Sequence, residues 1–328
     1  MNARLAAALG GAATTIVLCA AGANASAAGA AGANTSAPGA TSAQLVRGVS
    51  ANWSGYAVTR TTVSNKFKRV AGSWTQPVGQ CSQGTSTYSA IWVGLGGYEN
   101  GAQALEQTGS EVDCTASGEP IYSAWFELVP AGPVELRLSI HPGDRLNASV
   151  AVRGKTVVMQ VRDLTTRQGR TVLRKMRYPL PDLTSAEWIV EAPSACSADN
   201  ACRTLPLTNF GSVAFSNASA TTMQGARTPI VSNGYEVTAL ELRDSAPDRQ
   251  AGRGREAAVL AGANPSELLS GGTAFTVAWQ QLSSGQAEVA AEAAEEEPGA
   301  QGAQGEAEGA GEGPYSPPGM PYGEAFRR

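Results

Sequence analysis

Short runs of apolar or alternating residues recur between Gly48 and Gln281 and are separated by Gly, Pro and Asn. A period of two is typical of half-buried β-strands, and no sustained period of 3.6 residues interrupts it. The regular spacing favours one antiparallel β-sandwich over alternating β and α units. The runs predicted to be strands are Asn52–Thr59, Val70–Thr75, Ser89–Leu95, Ile121–Val129, Val134–Ile140, Leu146–Val152, Val157–Leu164, Ala186–Glu191, Ser212–Ser216 and Thr273–Trp279.

Two turns and one long loop are expected within this block. His141–Asp144, with the sequence His-Pro-Gly-Asp, and Thr165–Gly169 both have the residue types that favour turns between strands. Arg243–Ser270 is polar and rich in Arg, Ala and Gly. This composition predicts a long loop, with a short helix near Ser266–Leu269.

Composition divides the chain into four segments. Residues 1–25 are expected to be a signal peptide, and residues 26–48, rich in Ala, Gly and Ser, a disordered linker or propeptide. Residues 49–282 are expected to form the sandwich domain. Residues 283–328 form an acidic low-complexity tail, which we expect to be disordered apart from weak helicity over Ala287–Glu297.

The formal net charge of −4 arises at one end of the chain. Residues 281–328 contain nine Glu and two Arg, whereas residues 1–280 contain 19 acidic and 22 basic residues, a net charge of +3. The acidic balance therefore says little about the partners of the main body. The dense arginines from Arg153 to Arg177 alternate along predicted strands, which indicates a solvated sheet face and no nucleic-acid site.

The N-terminus has the features of a secretory signal. Arg4 supplies the positive end, Leu5–Ala21 the apolar run, and Ala23-Asn24-Ala25 a small-x-small cleavage site. The run is too short and too rich in Ala and Gly for a good membrane span. We therefore expect a secreted, extracellular protein with no membrane attachment after signal cleavage.

Four cysteines remain after the signal: Cys81, Cys114, Cys196 and Cys202. An even number in an exported protein predicts two disulfides, with three possible connectivities. We favour Cys196–Cys202, which would close a small polar loop, and therefore Cys81–Cys114.

The single histidine, His141, excludes several chemistries. A His-rich metal site is impossible, and a serine or cysteine nucleophile would have to use this one residue of a predicted turn as its base. The chain has no Gly-x-Ser-x-Gly elbow and no phosphate-binding glycine loop in a strand–helix setting. Carboxylates therefore become the candidates for acid–base chemistry, with no metal and no cofactor.

Glu187 and Glu191 lie four residues apart on one predicted strand and therefore on one face. Their separation is about 13 Å along an extended chain. A retaining glycosidase needs a carboxyl pair about 5–5.5 Å apart and an inverting one about 6.5–9.5 Å. These two residues cannot form such a pair with each other, although one of them could pair with a residue of another strand.

Six segments taken together resemble the glutamic peptidases (eqolisins, peptidase family G1), and the chain resembles their bacterial secreted members. The segments occur in the order of the family and lie between about Ala51 and Gln280. They are Asn52-Trp53-Ser54-Gly55-Tyr56, Ile91-Trp92-Val93-Gly94-Leu95-Gly96-Gly97, Leu105-Glu106-Gln107-Thr108-Gly109, Tyr122-Ser123-Ala124-Trp125-Phe126-Glu127, Ala186-Glu187-Trp188-Ile189-Val190-Glu191 and Asn209-Phe210-Gly211-Ser212-Val213.

The resemblance implies a two-sheet antiparallel sandwich similar to legume lectins, a concanavalin-like jelly roll. It also implies a catalytic pair of Gln107 and Glu191, with Glu187 at the position of a non-catalytic glutamate. A glutamate can act as general base to water and return the proton to the leaving amine. A glutamine does not ionise, and its NH₂ can donate to a developing oxyanion.

The resemblance further implies residues that line the substrate cleft. Trp92 and Trp125 match lining aromatic residues of the family, and Glu111 and Glu127 match acidic positions near the cleft. Gly96 departs from the pattern, since fungal members can carry an acidic residue there, and we expect the local hydrogen bonding to differ.

The leading hypothesis is a secreted, monomeric, metal-independent acid endopeptidase that acts on polypeptides. Two alternatives remain open: a non-enzymatic, lectin-like carbohydrate-binding sandwich, and a glycosidase that uses Glu127 and Glu191 across strands. The fold does not separate them. The intact Gln107-Thr108-Gly109 favours the peptidase, because neither alternative needs a glutamine there.

Overall fold

The computed structural model describes residues 44–60, 66–99, 101–196, 202–243 and 260–283, and within these ranges it contains strands, turns and connections but no helix. It follows that no helix in this described part is long and apolar enough to cross a membrane. The strands are β1 (Gln44–Ser50), β2 (Trp53–Arg60), β3 (Phe67–Thr75), β4 (Ala90–Gly96), β5 (Leu105–Cys114), β6 (Pro120–Val129), β7 (Ala131–Leu136), β8 (Arg145–Arg153), β9 (Thr156–Asp163), β10 (Gln168–Lys175), β11 (Ser185–Glu191), β12 (Ser194–Cys196), β13 (Cys202–Thr204), β14 (Ser212–Thr222), β15 (Arg227–Thr228), β16 (Tyr235–Arg243), β17 (Ala261–Pro265) and β18 (Phe275–Gln281).

Strand β14 joins two sheets. The front sheet has the order β18-β17-β16-β2-β11-β4-β5-β6-β7, and the back sheet has the order β10-β9-β8-β3-β14 with β15 beside β14. Ser212–Phe215 of β14 pair with β18, whereas Ser216–Thr222 pair with β3 after an irregularity at which Asn217 has a φ of 53°. The predicted all-β antiparallel sandwich is confirmed, with one parallel pair, β1 and β16.

Two tryptophans connect the sheets through the core between them. Trp188 of the front sheet donates from Nε1 to the carbonyl of Ala71 in the back sheet at 2.8 Å. Trp74 of the back sheet donates from Nε1 to Ser110 Oγ of the front sheet at 3.0 Å. Burying one large apolar side chain contributes about 1.5–3 kcal/mol, and these two bury no unpaired N–H. The two rings therefore hold the sheets face to face without an uncompensated polar group.

A disulfide joins Cys81, in the connection before β4, to Cys114 at the end of β5, with a Cα–Cα distance of 5.3 Å. This expected pairing is confirmed. Cys202 is also disulfide-bonded, and the ladder of β12 and β13 places the backbone of Cys196 opposite it. This register is the one that the predicted second pairing requires.

The domain begins earlier than the sequence indicated. Residues 26–48 were expected to be a disordered linker or propeptide, but Gln44–Ser50 form β1 and pair with Glu236–Leu242 of β16. The paired residues of the two strands lie more than 190 positions apart in the chain. Local composition carries no information about such a distant hydrogen-bonding edge. The expected signal peptide and the rest of the linker lie outside the described residues.

The expected long loop contains a strand. Ala261–Pro265 form β17 between β16 and β18, and the predicted helix at Ser266–Leu269 is absent. Instead, Ser266 N donates to the carbonyl of Thr276 at 2.7 Å and Leu269 N to that of Ala274 at 2.7 Å. Cross-strand bonds therefore satisfy the backbone that a helix would have satisfied internally. The acidic tail from residue 284, with its predicted weak helix, lies outside the described residues.

Both expected turns are confirmed. Asp144 N donates to the carbonyl of His141 at 3.1 Å, and the side chain of His141 is 68% exposed. In the turn between β9 and β10, the N–H groups of Thr165 and Thr166 donate to Asp163 Oδ1 at 2.8 and 3.2 Å.

The disulfide between Cys81 and Cys114 closes a loop with a sequence separation of 33. We expect the double variant Cys81→Ser/Cys114→Ser to lose about 3–4 kcal/mol of unfolding free energy, because the open loop has more conformations in the unfolded chain. Denaturant unfolding measures the change. The double variant Cys196→Ser/Cys202→Ser would open the much shorter loop of the predicted second disulfide and should lose less unfolding free energy. An equal or larger loss there would contradict this explanation.

Candidate active site

The candidate site lies on the face of the front sheet that points away from the sandwich core, called here the front face. Gln107 of β5 lies opposite Gly94 of β4 and opposite Glu127 of β6. Glu191 at the end of β11 lies opposite Ala90 of β4. Since alternate residues of a strand share one face, these side chains all project to the same side. A hydrophobic cluster separate from the main core covers this face and includes Trp53, Ala57, Ala90, Trp92, Leu105, Trp125, Ile189 and Leu240.

Two side-chain donors hold the carboxylate of Glu191. Trp92 Nε1 donates to Glu191 Oε2 at 2.7 Å, and Asn52 Nδ2 donates to Glu191 Oε1 at 3.3 Å. The Trp53 ring lies edge-on to the Trp92 ring, with a centroid distance of 5.0 Å. The enclosure of the carboxyl raises the pKa of Glu191 to about 7, although the hydrogen bonds oppose the shift. The side chain is therefore fixed in position and poised to exchange a proton.

Gln107 is bonded to a second enclosed carboxyl. Its Nε2 donates to Glu127 Oε2 at 2.6 Å, while its Oε1 has no hydrogen-bond partner among the described residues. Burial and, to a smaller extent, the charge of Glu191 raise the pKa of Glu127 to about 8, although the hydrogen bond from Gln107 opposes the shift. Glu127 is therefore protonated below that pH, when its carboxyl can both accept from and donate to the amide.

Two aromatic residues flank the floor of the site. Trp92 and Trp125 lie on either side of Gly109, which pairs with both. A Cβ at Gly109 would lie 2.0 Å from the carbonyl oxygen of Ile91, and one at Gly94 would lie 2.8 Å from Cζ3 of Trp92. The two glycines therefore allow β4 and β5 to approach closely and the Trp92 ring to lie over the sheet.

Glu111 lies on the same sheet face, but its hydrogen-bond partners are not Gln107 or Glu191. It is opposite Ala90 and Ser123, and Ser123 Oγ donates to Glu111 Oε2 at 2.8 Å. Burial, together with the charge of Asp113, raises the pKa of Glu111 well above its usual range. No hydrogen bond joins Glu111 to Gln107 or Glu191 within the described residues, so its substrate-binding role stays a prediction.

Glu187 shares the front face with Glu191, as expected, but does not contact it. It is fully buried opposite Gly94 of β4 and Ala57 of β2. Burial raises the pKa of Glu187 well above its usual range, and the charges of Asp182 and Glu106 add to the shift.

Gly96, which departs from the family pattern, lies against Asp182. A Cβ at Gly96 would be 2.4 Å from Asp182 Cβ, and Gly96 has a φ of 78°. Asp182 Oδ2 accepts a hydrogen bond from Gly97 N at 3.3 Å. A carboxylate from a distant loop thus occupies the space that a larger side chain at position 96 would need, and the expected difference from the fungal members stays a prediction.

Sequence reasoning missed Asn52. The segment that begins with Asn52 was part of the resemblance, but only the contact with Glu191 reveals a role for its amide. Its carbonyl also accepts a hydrogen bond from Ala192 N at 2.8 Å, which ties the start of β2 to the end of β11. The only available signal was its position directly before Trp53.

The arrangement places a proton-accepting carboxyl and a non-ionising amide on one sheet face beside two indole rings. A carboxyl whose pKa lies near the working pH is suited to proton transfer. An amide N–H fixed by a neighbouring carboxyl is suited to stabilise a developing negative charge.

Comparison with known proteins indicates the family and the fold. The model of the Peptidase A4 family matches residues 51–246. Scytalido-glutamic peptidase with a transition state analog inhibitor has 22% identity and a TM-score of 0.53, over 70% of this chain and 98% of that chain. Aspergilloglutamic peptidase from Aspergillus niger has 27% identity and a TM-score of 0.41, over 59% of this chain and 99% of that chain. Comparison with curated proteins gives no match.

The likeness to scytalido-glutamic peptidase shows that the all-β sandwich has the fold of a glutamic-type peptidase. Because the family model covers more than half of the chain, this chain belongs to the Peptidase A4 family, the glutamic peptidases or eqolisins. It is a hydrolase of that type, and its substrates are polypeptides.

The close approach at Gly109 predicts a large effect of one methyl group. We expect Gly109→Ala to lower the unfolding free energy by more than about 3 kcal/mol, because the new Cβ meets backbone that cannot move alone. Gly132→Ala is the matched control, since nothing lies within 4 Å of a Cβ at Gly132. Similar losses for both variants in denaturant unfolding would refute the role of Gly109.

The enclosed carboxyls predict that the fold is more stable in acid. Burial raises the pKa of Glu106 to about 9, that of Glu127 to about 8 and that of Glu191 to about 7. Groups whose pKa is raised by folding stabilise the native state fully below their unfolded pKa, about 4.3, and lose that contribution as the pH rises through the folded pKa. We therefore expect the melting temperature to fall between pH 5 and pH 9.

Calorimetry over this pH range measures the effect. Glu106→Gln should make the melting temperature fall less steeply with pH, because one buried proton-binding group is removed. The same replacement at the exposed Glu119 should leave the pH dependence of the melting temperature unchanged. A melting temperature that stays constant or rises from pH 5 to pH 9 would contradict the assignment.

Proposed function

We propose that the protein is a secreted endopeptidase with Glu191 and Gln107 as its catalytic pair, and that it is most active near neutral pH rather than in strong acid. The observation that carries this proposal is the fixed carboxylate of Glu191, held by Trp92 and Asn52 on the same sheet face as Gln107. In this reading Trp92, Trp125, Glu111 and Glu127 border the bound polypeptide.

The reaction begins when ionised Glu191 removes a proton from water as its oxygen attacks the carbonyl carbon of the scissile peptide bond. The carbonyl oxygen gains the electron pair, and Gln107 Nε2 donates a hydrogen bond to that oxyanion. The C–N bond then breaks as protonated Glu191 gives its proton to the leaving nitrogen. The products are a carboxyl terminus and an amine, and Glu191 is ionised again.

Glu127 orients Gln107 in this mechanism. Its carboxyl fixes the amide at 2.6 Å and is protonated below its pKa of about 8. An uncharged partner leaves the developing oxyanion without a repelling neighbour, which suits an enzyme that works below that pH.

The pH dependence has two limits. A glutamate of ordinary pKa, about 4.3, would be an ionised base in fairly strong acid. Enclosure raises the pKa of Glu191 to about 7, so the ionised base form increases as the pH rises toward 7. On the alkaline side, Glu127 and the other buried carboxyls lose their protons, which charges the site and weakens the fold. Activity should therefore peak between these limits.

Digestion of a denatured protein substrate between pH 3 and pH 8, with an aspartic-protease inhibitor present, tests the proposal. We expect Glu191→Gln to lower kcat/KM by about 10²–10⁴-fold and Gln107→Ala by about 10²–10³-fold, because each removes one part of the transition-state chemistry. Both variants should retain the wild-type circular dichroism spectrum, and Glu119→Gln should retain full activity. Full activity in either site variant would sink the assignment.

The same variants separate the glycosidase alternative. A pair formed by Glu127 and Glu191 would cleave a polysaccharide and would not need the amide of Gln107. Sugar release that survives Gln107→Ala, without peptide cleavage by the wild type, would replace the peptidase mechanism.

Secretion and a monomeric state complete the proposal. The Cys81–Cys114 disulfide and the disulfide-bonded state of Cys202 support an oxidising compartment. Residues 1–25 have the features of a signal peptide that would direct export. The chemistry assigned to Glu191 and Gln107 calls on no metal or cofactor.

A further inference from the structure

The back sheet presents only positive charge on its outer face. Along β8, Leu146, Ala148, Val150 and Val152 point into the core, so the odd-numbered residues point outward. The strand register shows which residues of the neighbouring strands β3, β9, β10, β14 and β15 lie beside these and therefore also point outward. The charged residues of this surface, called here the cationic face, are all exposed: Arg69, Arg145, Arg153, Arg162, Lys175 and Arg227.

Nothing acidic offsets these charges within the sheet. Asp163 is the single acidic residue in the strands of the back sheet, and it is buried, with Thr165 and Thr166 bonded to it. Each of the ion pairs found among the described residues lies elsewhere. Although Arg69 is an exposed residue, partial burial of its guanidinium and the neighbouring charge of Arg227 lower its pKa, as expected where cations meet without a counter-charge.

The chain itself carries a complementary segment. Residues 288–312 contain eight Glu and no Lys or Arg. A run of like charges repels itself and favours an interaction with a surface of opposite sign. The segment follows β18, which is separated from β3 of the back sheet only by β14.

The connecting chain is long enough. Strands lie about 4.8 Å apart, so β10, five strands from β18, is about 24 Å away. Each residue spans at most about 3.3–3.6 Å, so the 30 residues from Ser283 to Glu312 reach far beyond that distance. Attachment to the same chain also gives the segment a high local concentration at this surface, which an external polyanion lacks.

We propose that residues 288–312 bind the cationic face of the same chain. Glutamates of the segment pair with the exposed arginines and with Lys175, and the complex leaves the front face, on the other sheet, uncovered. The interaction is electrostatic and should weaken as salt shortens the range of charge attraction.

Carbodiimide coupling tests this proposal in the full-length protein at pH 7, because the reagent joins a carboxylate to an amine only when they touch. All four lysines, Lys66, Lys68, Lys155 and Lys175, lie in the back sheet or its adjoining turns. We expect mass spectrometry to find intrachain links from Lys155 or Lys175 to glutamates of residues 288–312. At 0.5 M salt the yield should fall about fivefold or more.

Two reporter variants locate the contact. Arg162→Lys adds an amine to the cationic face and should add a link to the segment. Arg203→Lys adds an amine at an exposed position of β13, away from this face, and should add none. Equal coupling of both reporters would show contact without a preferred surface and would overturn the proposal.

A charge-matched pair of variants tests the cause. Arg162→Glu/Lys175→Glu should lower the coupling of Lys155 about fivefold or more, because attraction turns into repulsion. Arg137→Glu/Arg203→Glu changes the net charge equally, away from the face, and should leave the coupling unchanged. Links found only between two chains, or no links at low salt, would reject the intrachain complex. The cationic face would then be a binding surface for a different polyanion.

Discussion

The withdrawal of carboxyl groups from water is the constraint on which the front sheet depends. Glu106, Glu111, Glu127, Glu187 and Glu191 belong to three of its strands, β5, β6 and β11, and burial raises the pKa of each. Ionising carboxylates so close together in a poorly solvated sheet would destabilise the fold by far more free energy than the available hydrogen bonds could contribute. The fold is therefore built around carboxyls that keep their protons.

That constraint also shapes the chemistry. The pKa of Glu191 rises to about 7, below those of Glu127 and Glu106, and the hydrogen bonds that Trp92 and Asn52 donate to its oxygens oppose the rise. Glu127 is enclosed without such donors other than Gln107 and stays protonated to about pH 8. In the proposed mechanism, two carboxyls of one sheet, on β11 and β6, thus acquire different tasks through their surroundings alone: one moves a proton and the other holds an amide.

Much of this was predictable from the residues. Period-two alternation revealed the sandwich, and the ordered motifs around Gln107 and Glu191 indicated the family. Strand β1 and strand β17 were not predictable, since Gln44–Ser50 and Ala261–Pro265 are short segments whose partners lie far away or in another hairpin. Local composition marks a strand poorly when packing and a distant backbone edge decide it.

The sequence by itself determined the class of fold and the residue types available for chemistry, because these follow from alternation and inventory, and the spacing of the cysteines favoured the Cys81–Cys114 pairing that the structure shows. Only the tertiary structure decided that Asn52 bonds to Glu191, that Glu127 holds Gln107, and that Glu111 turns to other partners. These contacts join residues up to 139 positions apart. Their geometry, and the loss of water that sets each pKa, arise only when the strands are side by side.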